Sequence, residues 1–205
     1  MTVEISAADV KALRDRTGAG MMDCKAALEE ARGDTEKAIE ILRVKGQASA
    51  AKRGGRSTGE GVVSSYIHAT GKVGVLVEVQ CETDFVARTD EFRSFAREVA
   101  VHIAGAAPPP LHVSTDEIPD EVREAERDVL ARRAREDGKP DEIVDKVVAG
   151  QLAKWEREVA LLEQEHINAD RYEGKTIEEL RAEIAAQTGE NVTITRFARF
   201  EVGEA

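Results

Sequence analysis

"GVVSSYIHATGKVGVLVEVQCETDFVAR", residues 61–88, is where the chain changes its periodicity. "GVVSSYIHA" and "KVGVLVEVQCE" are dense in β-branched residues, and the short "TGK" between them supplies a turn, so the two runs read as a β-hairpin. The second run leaves the strand through Thr83, Asp84, Phe85 and Val86, with a carboxylate beside an aromatic ring. Only 4% of the residues are aromatic, so this ring is either an anchor of the core or a probe offered to something outside it. Read as an anchor, Thr83 or Asp84 caps the following turn while Phe85 packs beneath it. Both readings stand at this stage.

Beyond the hairpin, "DEFRSFAREVAVHIAG" carries Phe92, Phe95, Ala96, Val99 and Ile103 on one helical face, enough to cover one side of a small sheet. "AAPPPL" stops that helix, because consecutive prolines cannot continue one. Two charged helical stretches follow, Thr115 to Asp137 and Pro140 to about Gln164, joined by "DGK" and expected to form an antiparallel hairpin. Their carboxylates alternate with Arg and Lys at i+3 and i+4, the pattern of a solvated face. Trp155 within them reads as a packing anchor. A last helix opens at Thr176, with Glu179 in capping-box spacing, and "NVTITRFARFEVG" reads as a terminal strand that returns to the sheet.

Before the hairpin the period is helical. "SAADVKALRDRTG" opens with Ser6 and Asp9 in capping-box spacing and closes on Gly18, "MDCKAALEEARG" closes on Gly33, and "DTEKAIEILRVKG" is expected to end at Gly46. Val10, Leu13, Leu28, Ile39 and Leu42 give each helix one stripe to bury, in a bundle whose small core and large surface suit docking better than catalysis. The fold class is therefore α+β: a three-helix bundle of ubiquitin-associated type over 1–52, a linker over 53–60, a core sheet and helix over 61–112, an inserted helical hairpin over 113–164, and core completion by helix and strand over 165–205.

The chain has 205 residues and a formal net charge of −11, unevenly spread: residues 1–56 carry +2 and the remainder −13. That balance disfavours nucleic acid as a direct partner. "KRGGR" at Lys52 to Arg56 has no interleaved aromatics and reads as a solvated linker able to touch an acidic partner. No run approaches the roughly 18 apolar residues that span a bilayer, and "MTVEISAADV" lacks a basic start and an apolar middle, so no membrane association and a cytoplasmic location are expected.

The chemistry-bearing motifs are missing. No GxxxxGK[ST], HExxH or GxGxxG occurs, and "GAGMMD" fails after its second glycine. His68, His102, His112 and His166 are scattered, Cys24 and Cys81 lie far apart without CxxC spacing, and neither a metal, a cofactor nor a disulfide is expected. Cys81 with His68 or His102 as its base would make a thiol enzyme, without any local signature to support it.

Two segments carry a resemblance. "LRDRTGAGMMDCKAAL", Leu13 to Leu28, and "EVQCETDFVAR", Glu78 to Arg88, resemble the two signatures of the bacterial elongation factor Ts family, and the order of modules is similar to that family along nearly the whole chain. Gln80 stands where the family usually has asparagine, and His166 where a Gln-Pro-Phe turn is common; only one copy of the core unit fits in this length. The resemblance implies a guanine-nucleotide exchange factor, not an enzyme of bond chemistry, whose partner is elongation factor Tu, a GTPase that holds GDP through magnesium and a phosphate-binding loop. It implies that Asp84 and Phe85, flanked by Thr83 and Val86, enter the partner near its magnesium, and that Leu13, Met21, Met22 and Lys25 face its nucleotide-binding domain. A methionine-filled bundle core is the alternative for the latter group. A docking scaffold without exchange activity is the alternative for the whole, and open sheet edges allow a homodimer through the sheet.

Overall fold

A computed structural model describes residues 5–204, so the first four residues of the 1–52 module and the last residue of the 165–205 segment lie outside the described part. Helices α1 (Ala7–Thr17), α2 (Met21–Glu30) and α3 (Thr35–Arg53) come first. Strands β1 (Glu60–Ile67) and β2 (Val73–Cys81) lead into the short α4 (Asp84–Ala87) and then α5 (Asp90–Gly105). The long helices α6 (Asp120–Glu136) and α7 (Asp141–Val159), the short α8 (Ala169–Tyr172), α9 (Ile177–Thr188) and β3 (Val192–Glu201) complete the order. The antiparallel sheet runs β1-β2-β3, so the hairpin is extended on β2 by the returning C-terminal strand. The fold is α+β, as the change of period at residue 61 requires. No helix among the described residues is long and apolar enough to cross a membrane.

By proximity the described residues form two compact units, one made of the chain up to Val63 with Glu78–Ala96 and Glu179–Ile194, the other of Ser64–Val77, Arg97–Glu178 and the chain from Thr195. In the first, Ser6 and Asp9 form the capping box of α1, each side chain accepting from the other's backbone N–H, and Gly18 ends the helix at φ 66°. Val10, Leu13, Cys24, Ala27, Leu28, Ala38 and Leu42 fill the bundle core. Here α3 departs from expectation: it runs through Gly46 to Arg53, taking in Lys52 and Arg53 of the expected linker. "QASAAK" is rich in good helix formers, enough to offset a cost of about 1 kcal/mol for one internal glycine. Gln187 on α9 donates to the Thr17 carbonyl at 3.3 Å, and Arg43 on α3 pairs with Glu179.

One close approach in this unit is readable as a test of strand pairing. A Cβ on Gly61 would lie 2.2 Å from the Val79 carbonyl oxygen and 2.8 Å from Gln80 Cα, backbone atoms that cannot swing aside. Gly61→Ala is expected to destabilise the protein on the order of 2 kcal/mol. Urea unfolding should show a lower midpoint at unchanged slope; an unchanged midpoint would mean the strand simply shifts.

In the second unit, α6 and α7 form the expected helical hairpin around Ala134, Val144 and Val148, and α7 passes through Gly150 without a break. Both helices are shorter than the sequence reading: Thr115–Glu117 forms a 3-10 turn, Pro119 and Pro140 take N-cap positions, and 161–163 is a second 3-10 turn. Pro140 thus precedes the first helical residue instead of occupying it. Trp155 is half-buried. The histidines that are scattered in sequence are partly gathered here. His102 and His166 are buried with ring centroids 5.5 Å apart.

The faces of the elements follow their sequence patterns. Along β2, Val75, Val77, Val79 and Cys81 are buried while intervening residues are not, the alternation of a strand with one covered face. On α5, Phe92, Phe95, Ala96, Val99 and Ile103 are all buried, as their spacing predicts.

Candidate functional site

The strand exit is built from the backbone of Glu82 and Thr83. Thr83 is the N-cap of α4, its hydroxyl accepting from the Val86 N–H at 3.5 Å. Its hydroxyl proton goes to Glu190, donated to Oε1 at 2.6 Å, while Glu190 Oε2 accepts the N–H groups of Glu82 and Thr83, each at 3.0 Å. The favour is returned: Glu82 Oε1 accepts the Asn191 N–H at 2.6 Å and the Arg56 guanidinium at 3.3 Å. Those donors hold the Glu82 carboxyl below its ordinary range. Asn191, wholly buried, donates through its side chain to the Arg56 carbonyl at 2.9 Å.

On this base the tip points outward. Phe85 is 81% exposed, so it anchors no core, and the capping alternative holds only for Thr83. Ala87 is the buried residue of the turn, and Val86 is half-buried. Asp84 pairs with Arg88 at 2.8 Å across one helical turn, both side chains substantially exposed. An exposed pair of this kind is worth about 0–1 kcal/mol, so Asp84 is easily released to another partner.

Beneath the tip lies Cys81, buried, its thiol donating to the Thr83 carbonyl at 3.2 Å. Burial first, then the Glu190 charge, push this thiol up to about 11, so the thiolate that a thiol enzyme requires does not form near neutrality. Its proposed bases are engaged elsewhere, His68 with Thr70 at 2.9 Å and His102 with Gln164 at 2.8 Å.

The N-terminal signature divides between surface and core. Met21 is 47% exposed and Met22 73%, at the start of α2, and Lys25 follows one turn on, its ammonium 3.8 Å from Glu29. The methionine-filled core is therefore excluded for these two residues. Leu13 is a correction in the other direction: expected to face a partner, it is completely buried among Val10, Cys24 and Leu28, because its position on the α1 stripe turns it into the bundle.

Glu82, Glu190 and Asn191 were not found from sequence. Their contacts join positions 107 to 109 residues apart, and a carboxylate after "TG" at a helix end carries no local mark of such a role.

A family model described as Elongation factor TS matches residues 3–204. The elongation factor Ts of Caldanaerobacter subterraneus subsp. tengcongensis is 54% identical over 200 residues, covering 98% of this chain and 98% of that relative. That of Carboxydothermus hydrogenoformans is 57% identical over 196 residues, covering 95% and 88%. That of Moorella thermoacetica is 51% identical over 201 residues, covering 98% and 96%. The chain thus spans 88–98% of the length of these relatives.

Proposed function

We propose that this chain, which belongs to the elongation factor Ts family, is a guanine-nucleotide exchange factor: it binds elongation factor Tu carrying GDP, disturbs the magnesium and phosphate site, and promotes GDP release during translation elongation. The observation that carries the reading is an aromatic side chain, Phe85, left 81% exposed on a turn whose entry backbone, at Glu82 and Thr83, is tied down by Glu190. A stability-driven fold has no use for that arrangement, whereas a wedge needs both an unburied ring and a firm base. Magnesium demands near-octahedral geometry from a few oxygen ligands and waters, so a small displacement of its neighbours weakens it. Asp84 acts beside the ring by competing for hydrogen-bond donors or altering the local charge, once freed from Arg88.

Exchange is a coupling of binding energies. A factor that weakens the GTPase's hold on GDP is itself bound more weakly when GDP is present, by the same factor. Typical couplings of about 1–3 kcal/mol require support from additional contacts, and Met21, Met22 and Lys25 provide a second surface. Adjacent exposed methionines are flexible and polarizable, suited to adapting to a partner's surface. The direct test loads a Tu-type GTPase with fluorescent GDP and mixes it with this chain and excess unlabelled GDP. Accelerated loss of signal supports exchange; binding with unchanged release leaves a docking scaffold.

The second surface makes its own prediction. Replacing both methionines, Met21→Ala with Met22→Ala, should weaken association with the GTPase roughly tenfold, about 1.4 kcal/mol, as for a modest hot spot. Since the side chains are exposed, thermal stability should hardly change, and GDP release at saturating factor should stay near the parent rate. Unchanged affinity by titration calorimetry would remove the bundle from the interface.

A further inference from the structure

Resting on the exchange reading above, we propose that Glu190, with Glu82 as its reciprocal partner, is a positioning residue that fixes the angle at which Phe85 is presented. The need for such a device is physical. Helix α4 has four residues, Asp84–Ala87, and one turn of helix has almost no stability of its own because nucleation costs more than its first hydrogen bonds return. Nor does the ring hold itself in place, since it is exposed. The geometry of the tip must come from outside α4, and the Glu190 carboxylate is placed to supply it.

Glu190 receives three hydrogen bonds from two consecutive residues, the N–H groups of Glu82 and Thr83 and the Thr83 hydroxyl. By taking the hydroxyl proton, it leaves a Thr83 lone pair facing the Val86 N–H, so the helix cap and the clamp share one oxygen. Bonds to an ionised acceptor are shorter and stronger than neutral ones. Glu82 answers by accepting the Asn191 N–H, which stops the 190–191 turn from swinging away with its carboxylate. Two segments thus hold each other, each using its side chain on the other's backbone. A loose tip would have to be ordered during binding, and that entropy would oppose the productive complex.

The test uses the full chain, fluorescent GDP on a Tu-type GTPase, and a titration that separates maximal release rate from half-saturating concentration. Glu190→Ala should lower the maximal rate about tenfold while changing half-saturation less than threefold, because the bundle surface is untouched. Glu190→Gln, isosteric and able to accept from only one side, should fall between, and keeps the test valid if the alanine variant folds poorly. In the free protein, amide hydrogen exchange at Glu82 and Thr83 should accelerate in both variants. Because Glu190 acts through the ring, Phe85→Ala combined with Glu190→Ala should be no slower than Phe85→Ala alone. If Phe85→Ala slows release and Glu190→Ala does not, or if the two losses simply multiply, the positioning role is overturned while the exchange reading stands. If the parent chain does not accelerate release, the exchange reading itself fails; if it does and Phe85→Ala leaves release unchanged, the wedge role of the ring fails and takes this inference with it.

Discussion

Phe85→Ala is expected to reduce the maximal rate of catalysed GDP release by one to two orders of magnitude, about 1.4–2.7 kcal/mol of coupling, while leaving the melting temperature within about a degree of the parent. The two halves of that result come from the same observation. A ring 81% exposed has little apolar area to lose on truncation, so folding does not register it. A buried phenylalanine such as Phe92, wholly enclosed on α5, would by contrast cost roughly 3–5 kcal/mol. Stopped-flow release and differential scanning calorimetry on the same preparation check both halves. Loss of stability with unaltered exchange would return Phe85 to the role of an anchor. Asp84→Asn is the companion variant: it keeps the shape but removes the charge and the Arg88 pair.

The second large effect is on stability in acid, and it is seated in the buried histidines. His102 Nδ1 accepts the Ile167 N–H at 3.2 Å, so the ring carries its proton on Nε2 and donates it to Gln164 Oε1 at 2.8 Å. Gln164 passes the chain on to the Pro108 and Glu158 carbonyls. A second proton on His102 would face a backbone donor in a desolvated site, and burial pushes its pKa down to about 4, against the help of Gln164 and with some further lowering by His166. His166 is lowered too, again chiefly by burial, partly offset by the Glu98 carbonyl and carboxylate. A folded-state pKa below the unfolded value near 6.5 means that the neutral ring's contribution is complete above about pH 6.5. It is then lost as pH falls toward 4, because the unfolded chain takes up the proton first. The loss from His102 should reach about 3 kcal/mol. Urea unfolding at pH 7 and pH 4.5 should show a larger drop for the parent than for His102→Gln, and the His102 ring should remain neutral by NMR at pH 5.5. A ring titrating near 6.5 would contradict this.

What could be read from the sequence follows the range of the forces involved. Ser6 and Asp9 form their capping box, the α5 face buries its five apolar residues, and the strand alternation of Val75 to Cys81 places one face inside, all through interactions within about one turn or one pleat. Leu13 shows the limit of a motif: the signature spans both exposed and buried positions, and the helical stripe decides which of its residues are inside. The stop expected at Gly46 failed because a local propensity of about 1 kcal/mol is outweighed by an alanine-rich continuation that buries Ala50. The His102–Gln164 and Thr83–Glu190 bonds, 62 and 107 positions apart, had no local trace, since only the finished fold brings those groups together.

The most direct measurement compares the affinity of this chain for nucleotide-free elongation factor Tu with its affinity for the same GTPase saturated with GDP and magnesium. An exchange factor must prefer the empty form, and linkage fixes the reciprocal loss of GDP affinity at the same factor. Titration calorimetry should show GDP and magnesium weakening binding by at least tenfold, with GDP weakened equally when the chain is saturating. Equal affinity for the two forms would contradict the account, whatever the strength of binding, because a ligand that binds both states alike shifts neither.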